Sequence, residues 1–146
     1  MEAPRIVQRY LPGFTPERLF AIAADVESYP RFLFWCESAR VARREGNRLT
    51  VDNQFGIGPL RTRFETKAVL DPPRSIDVTS SDGPFLRLRI SWRFEAAREG
   101  GCRITLEIDQ AFRSPLFDAA ARPFLATVEE QVIRAFIKRA KELHPL

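Results

Sequence analysis

Between Leu49 and Phe112 the chain repeats one pattern: apolar and polar residues alternate one by one, in runs separated by turn residues. Leu49, Val51, Asn53 and Phe55 alternate with Thr50, Asp52 and Gln54. Leu60, Thr62, Phe64, Thr66, Ala68 and Leu70 alternate with Arg61, Arg63, Glu65 and Lys67. Leu86, Leu88, Ile90, Trp92 and Phe94 alternate with Arg87, Arg89, Ser91, Arg93 and Glu95, and Ile104, Leu106, Ile108, Gln110 and Phe112 close the series. A period of two sends successive side chains to opposite faces of a strand, so each run has one apolar and one solvated face. Glu45-Gly-Asn47, Gly56-Ile-Gly-Pro59, Asp71-Pro-Pro73 and Glu99-Gly-Gly101 break the runs with turn chemistry. With Ile6–Leu11, Ala39–Arg44 and a short strand marked by Ile76 and Val78, the expectation is a seven-stranded antiparallel sheet.

One face of that sheet needs a cover. Thr15-Pro16 is a helix start, with Thr as N-cap and Pro at the first helical position. It predicts a short helix from Pro16 to Ala24, and Asp25 is placed to cap a second short helical turn ending near Pro30. Ser114-Pro115 opens the last helical segment in the same way. Pro123 lacks an N–H and clashes with the preceding turn, so a kink or break is expected there. From Pro123 to about Leu143 the helix would span roughly 30 Å at ~1.5 Å per residue. Phe124, Val128, Val132, Ala135 and Phe136 form its apolar stripe, the only large one available to cover the sheet. The fold class is therefore α+β: a curved sheet around a long C-terminal helix, with two short helices after the first strand. A sheet gripping one helix leaves space between them, and that space is the natural ligand cavity.

At 146 residues the chain reads as one domain, residues 1–146, long enough for a real core. No run approaches the roughly 18 apolar residues of a membrane span. Met1-Glu-Ala-Pro-Arg5 lacks the apolar run of a secretory leader, so a cytoplasmic protein is expected. Two cysteines far apart, Cys36 and Cys102, read as reduced thiols rather than a disulfide framework. The net charge of +4 is mild and favours acidic headgroups or RNA over basic partners. Arg61, Arg63, Lys67, Arg87, Arg89, Arg93 and Arg103 share the outer face with Glu65, Glu95, Glu107 and Asp109. A hairpin at Glu99-Gly-Gly101 sets Arg89 near Asp109 and Glu95 near Arg103, the ordinary way to solvate a sheet. No aromatic residue interleaves these arginines, as single-strand RNA binding would want.

Catalytic constellations are missing from the sequence. The sole histidine, His144, sits where a helix end frays, and no Ser-His-Asp, Cys-His or metal-ligand spacing occurs. Gly56-Ile-Gly58 lacks the third glycine and the strand-to-helix setting of a nucleotide loop. Cavity residues are better supported. By parity Asn53, Thr62, Thr66, Ser80 and Gln110 share the inner face with Leu49, Val51, Phe64, Leu88 and Ile108, and polar groups on a buried face need partners. Trp92, Phe94, Phe112, Phe124 and Val128 add apolar wall. Tyr29, Phe32, Phe34 and Trp35 crowd one corner between helix and strand. Contiguous Phe32-Leu33-Phe34-Trp35 cannot all be buried by one stripe, so this corner is expected to rim the cavity or touch membrane, with Phe34 outside. Phe85, in the turn Gly83-Pro84-Phe85, is placed at the same rim.

These stretches carry a family resemblance. Asp25-Val-Glu-Ser-Tyr29, continuing to Phe32-Leu-Phe-Trp-Cys36, resembles the Tyr-x-x-Phe-Leu-Pro-Trp-Cys signature of the coenzyme Q-binding proteins. They are a branch of the START-like, polyketide-cyclase-like helix-grip superfamily. Gly83-Pro-Phe85, Leu88 and Trp92-Arg-Phe94 are similar to the family's Gly-Pro-Phe…Leu…Trp-x-Phe strand, and Phe136-Ile-Lys-Arg-Ala140 to its Phe-x-x-Arg-Ala helix pattern. Phe34 departs from the signature, standing where the family usually has proline. The resemblance implies a non-catalytic protein that binds ubiquinone or another polyisoprenoid lipid, supporting respiration or quinone synthesis. Ubiquinone would be its ligand rather than a cofactor, and the inner membrane the surface for any peripheral contact. A bacterial branch described as a ribosome association toxin makes the ribosome the alternative partner. Aromatase and cyclase relatives make those activities the enzymatic alternative.

Overall fold

Thr15 and Ser114 start their helices as their residue types dictate. The Thr15 hydroxyl accepts from the Arg18 N–H at 3.2 Å and Ser114 from the Phe117 N–H at 3.2 Å, each one residue ahead of a proline. The structure, a computed structural model, describes residues 4–145. Met1-Glu2-Ala3, within the segment read above for a leader, lie outside the described residues. In chain order the elements are β1 (Arg5–Leu11), α1 (Pro16–Ala24), a 3-10 turn (Val26–Arg31) and β2 (Cys36–Glu45). Then follow β3 (Arg48–Ile57), β4 (Leu60–Asp71), β5 (Ser75–Ser80), β6 (Phe85–Ala96) and β7 (Cys102–Phe112). Two helices, α2 (Pro115–Leu125) and α3 (Val128–Leu143), complete the described chain.

The seven strands form one antiparallel sheet in the order β1-β7-β6-β5-β4-β3-β2. Every strand from β2 to β7 lies beside its sequence neighbour, as the short turns require. β1 pairs with β7, so α1 and the 3-10 turn carry the chain from one sheet edge to the other. β2 is four residues longer than expected, Cys36–Glu45 rather than Ala39–Arg44. It carries two register shifts, at Cys36/Ser38 and Val41/Arg43. The Glu27 carboxylate accepts the Val41 N–H at 2.9 Å and ties that bulge to the 3-10 turn.

The core lies on the concave face. Ile104 and Leu106 from β7 and Ile76 from β5 meet Phe136 and Ile133 from α3, all essentially inaccessible to water. The Phe136 ring lies 4.8 Å from Trp92 and 6.2 Å from Phe94. The last helix is not the sole cover: α1 buries Leu19, Phe20, Ile22 and Ala23, with Phe20 edge-on to Phe94 at 6.3 Å. Its buried stripe also differs from the expected one, because Ile133 and Ala140 are buried while Val132 and Ala135 are only partly so.

Four local expectations need correction. The long helix begins at Val128, not Pro123. Pro123 stays inside α2, and with its N–H missing that helix persists only to Leu125 before the chain turns at Ala126-Thr127. The Gln131 side chain then donates to the Phe124 carbonyl at 3.4 Å and to the Thr127 hydroxyl at 3.0 Å, securing the break. The Asp25 carboxylate receives the Ser28 hydroxyl at 2.6 Å rather than a backbone N–H, so it does not cap the 3-10 turn in the expected way. Leu86 is 56 % exposed, because a bulge between Phe85 and Arg87 slips the alternation and turns Phe85 inward instead. Asp109 lies opposite Arg89 in register, and Glu95 opposite Arg103, as expected. Yet Asp109 takes two bonds of 3.1 Å from Arg87, the diagonal neighbour.

Candidate functional site

The bulge that turns Phe85 inward builds one wall of a cavity. Gly83 makes it possible. Its φ is +59, and a Cβ there would lie 2.7 Å from the Arg63 carbonyl oxygen, so only glycine fits this turn against β4. Phe85 then stacks on Phe112 at 5.2 Å and meets Phe64 edge-on at 4.9 Å. Phe55 extends the row beyond Phe64 at 4.8 Å, and Phe117 of α2 extends it beyond Phe112 at 5.0 Å. A continuous aromatic wall thus runs from β3 across the sheet to α2. Trp92 and Phe136 line the far end.

The enclosed space is about 140 Å³. All ten residues assigned to ligand contact from sequence lie on it: Asn53, Thr62, Phe64, Thr66, Leu88, Trp92, Gln110, Phe112, Phe124 and Val128. Four of these are polar, and the structure divides them into two pairs. The Asn53 amide donates to the Val51 and Phe64 carbonyls at 3.2 Å and to the Thr66 hydroxyl at 3.1 Å, so Asn53 and Thr66 satisfy one another. Thr62 and Gln110 have no side-chain hydrogen bond among the described residues, and both face the cavity. Ser80, grouped with them by parity, is not on the wall. Its hydroxyl donates to the Glu65 carbonyl and accepts from the Asp82 N–H at the end of β5.

The aromatic corner is split as well. Leu33 and Trp35 are buried in the cavity wall and Phe32 is half-buried, with the Arg139 guanidinium 6.0 Å above its ring. Phe85 is wall rather than rim. Only Phe34 is outside, 78 % exposed, although its ring still touches Trp35 at 5.0 Å and Phe124 at 6.4 Å edge-on. Phe34, Trp35 and Phe124 thereby join the corner to the end of α2 over the cavity.

Tyr29 also lines the cavity and was not singled out for it by the sequence. Its hydroxyl donates to the Ala23 carbonyl, and burial pushes its pKa well above the ordinary phenol value. The 3-10 geometry that turns this ring inward leaves no simple periodicity to read. Among the described residues no carboxylate, imidazole or amine is on the wall. Cys36 and Cys102 are free and buried, and burial pushes both thiols up to about 11. Neither cysteine lines the cavity, whose wall among the described residues offers hydrogen bonds and apolar surface.

A sheet wrapped around a C-terminal helix, here with an apolar cavity between them, is shared with known proteins. The family model described as polyketide cyclase / dehydrase and lipid transport matches residues 13–137. The chain belongs to that family. Within the polyketide cyclase and lipid-transport group, it is 34% identical over 126 residues to the ribosome association toxin RatA of Pseudomonas aeruginosa, covering 86% of this chain and 88% of that one. It is 29% identical over 143 residues to the mitochondrial coenzyme Q-binding protein coq10 of Schizosaccharomyces pombe, covering 94% and 87%. Both branches of the expected superfamily are therefore among its relatives. The solution structure of the 18 kDa protein CC1736 from Caulobacter crescentus superposes with a TM-score of 0.74 at 35% identity, covering 99% of this chain and 100% of that one. The Zhui aromatase/cyclase from Streptomyces shares the fold, with a TM-score of 0.77 at 17% identity over 98% of each chain.

Proposed function

We propose that the protein binds, without transforming it, a hydrophobic ligand carrying a flat oxygenated ring, of which a quinone with a polyisoprenoid tail is the best fit. One observation carries this reading: a cavity walled by aromatic rings in which two polar side chains, Thr62 and Gln110, have no side-chain hydrogen bond among the described residues. Aromatic walls favour flat rings by offset and edge-on contact, and a few convergent polar groups orient a ligand in an apolar site. The volume of about 140 Å³ sets the scale. An apolar cavity of roughly 150 Å³ takes up benzene, so this one admits a ring or a short stretch of tail, and a long tail must leave through the mouth.

The mouth suggests how such a ligand is exchanged. On α2, Leu116, Ala119, Ala120 and Pro123 fall at helical spacing on one face, and all are exposed, Leu116 by 84 %. The opposite side of α2 sends Phe117, Phe124 and Leu125 into the cavity. A surface helix with apolar residues inside and outside, next to exposed Phe34, suits insertion into the interfacial zone of a bilayer. Arg31 precedes the corner and Arg113 precedes α2, which favours anionic lipid. No helix among the described residues is long and apolar enough to cross a membrane, so contact through these helices would be peripheral.

Titrating a short-tailed quinone such as decylubiquinone into the protein tests the ligand reading. Trp35 and Trp92, the two tryptophans of the chain, both line the cavity, so occupancy should quench intrinsic fluorescence saturably. Absence of saturable quenching, with no displacement of a cavity dye, counts against it. The second reading, ribosome association, is favoured by the RatA relatives. Arg63, Arg89 and Arg103 carry no ion pair among the described residues and supply the positive charge it needs. Salt-sensitive co-sedimentation with ribosomal subunits tests that one.

A further inference from the structure

A second recess opens beside the apolar cavity, between β7, the start of β1 and α2. It measures about 260 Å³ and shares Ile108, Gln110, Phe112 and Leu125 with the cavity, so the two meet along β7. Its character is different. Arg5, Asp109, Asp118, Arg122 and the Ala126 backbone complete its lining. Gln110 stands on the wall common to both spaces, with its amide uncommitted among the described residues. The fold leaves this gap because β1 pairs with β7 only as far as Arg5 opposite Ile108. Beyond that point the outer edge of β7, from Asp109 to Phe112, has no strand beside it among the described residues.

The charges of the recess are matched. Arg122 pairs with Asp118 at 2.7 Å, and Asp109 pairs with Arg87 at 3.1 Å. Arg5 donates to the Ala126 carbonyl and lies 3.8 Å from Glu129. A charged ligand head would have to disrupt one of these pairs and bring its own charge out of water, both unfavourable. An uncharged head with carbonyl, ether or hydroxyl oxygens would not, and could accept from the guanidinium groups and from Gln110.

We infer that the recess is the head-group subsite of the cavity. A neutral amphipathic ligand lies with its ring against Phe112 on the shared wall, its oxygens reaching into the recess beside Gln110, and its hydrocarbon end in the apolar chamber, directed toward the Phe34 mouth. This rests on the ligand-binding reading above and adds two things to it: the ligand's orientation, and discrimination against fatty acids and other anionic amphiphiles.

The test compares three probes of similar chain length: decylubiquinone, decylbenzene and dodecanoate. Wild-type protein should bind decylubiquinone at least about tenfold more tightly than dodecanoate, the equivalent of roughly one net hydrogen bond to the head. Ala126→Phe, at the exposed C-cap of α2 on the recess, should block the recess and spare the chamber. It should weaken decylubiquinone binding about tenfold or more and leave decylbenzene binding unchanged. Arg122→Leu, which removes a donor without filling the space, should weaken decylubiquinone less and decylbenzene not at all. If the wild type binds decylubiquinone and decylbenzene but neither variant distinguishes them, the head is not in the recess and the orientation is wrong. Tighter binding of dodecanoate than of decylubiquinone overturns the neutral-head assignment. If the wild type binds none of the probes, the ligand reading itself fails, and this inference with it.

Discussion

Single side chains decide what chemistry the cavity supports. Thr62 and Gln110 are the polar wall residues without a side-chain hydrogen bond among the described residues, so replacing them with leucine removes little that the fold uses. Thr62→Leu or Gln110→Leu should weaken quinone binding more than it lowers stability, as isothermal titration beside thermal melts would show. Unchanged affinity in a folded double variant would remove both residues from the site. Asn53 is different, since its amide joins β3 to β4, and Asn53→Leu should lower stability by about 1–3 kcal/mol by leaving buried acceptors unmet. The cysteines give a pH prediction. Burial raises both thiols from an ordinary value of 9.0 to about 11. The unfolded chain therefore loses protons first as pH rises, so the stabilisation is complete below pH 9 and is lost between about 9 and 11. Denaturant midpoints measured from pH 7 to 11 should fall across that window, and Cys36→Ala/Cys102→Ala should flatten the fall. In the native protein both thiols should resist a disulfide reagent at pH 8 and react only on unfolding.

At the scale of elements, the strands were legible from alternation because one face is buried and the other solvated along almost every run. Legibility failed where geometry departs from period two. The slip at Phe85–Arg87 is a bulge, which alternation cannot announce, although Gly83 marks the place by needing a positive φ. The 3-10 turn gave no period by which to orient Tyr29. The helix break was expected at Pro123 and occurs three residues later, because a proline removes one donor and leaves the following turn to end where tertiary contacts allow. Ser114-Pro115 opens the last helical segment, and the break makes α2 a separate piece over the cavity with apolar residues on both sides. Phe34→Ser and Leu116→Ser should each reduce binding to vesicles containing anionic lipid, measured by flotation, with melting temperature almost unchanged. A large loss of stability with normal vesicle binding would instead make these positions part of the core. α3 is core: Phe136→Ala should cost about 3–5 kcal/mol of unfolding free energy, and a chain ending before Val128 should aggregate or bind hydrophobic dyes.

For the whole molecule, the fold follows from one constraint. A curved sheet with an apolar concave face has to be covered, and α1 and α3 cover most of it without filling the end beneath α2. The aromatic wall from Phe55 to Phe117 keeps that remaining space open and apolar. Parity placed Phe55, Phe64 and Phe112 on the inner face but not Phe85 or Phe117, and could not divide satisfied from unsatisfied polar groups, because Asn53 and Thr66 come together only when β3 pairs with β4. Nor could it find the recess, which exists because β1 stops short along β7. The same architecture serves relatives named for a toxin and for a quinone-binding protein, so fold alone does not choose between them. The most direct measurement is of what the protein carries. Protein purified from its native cells without detergent should be extracted with organic solvent and the extract analysed by mass spectrometry. The expected extract holds a neutral quinone or a related polyisoprenoid lipid, in amounts that fall with Gln110→Leu and with Ala126→Phe. An extract free of such lipid, from protein that sediments with ribosomal subunits in a salt-dependent way, would contradict it.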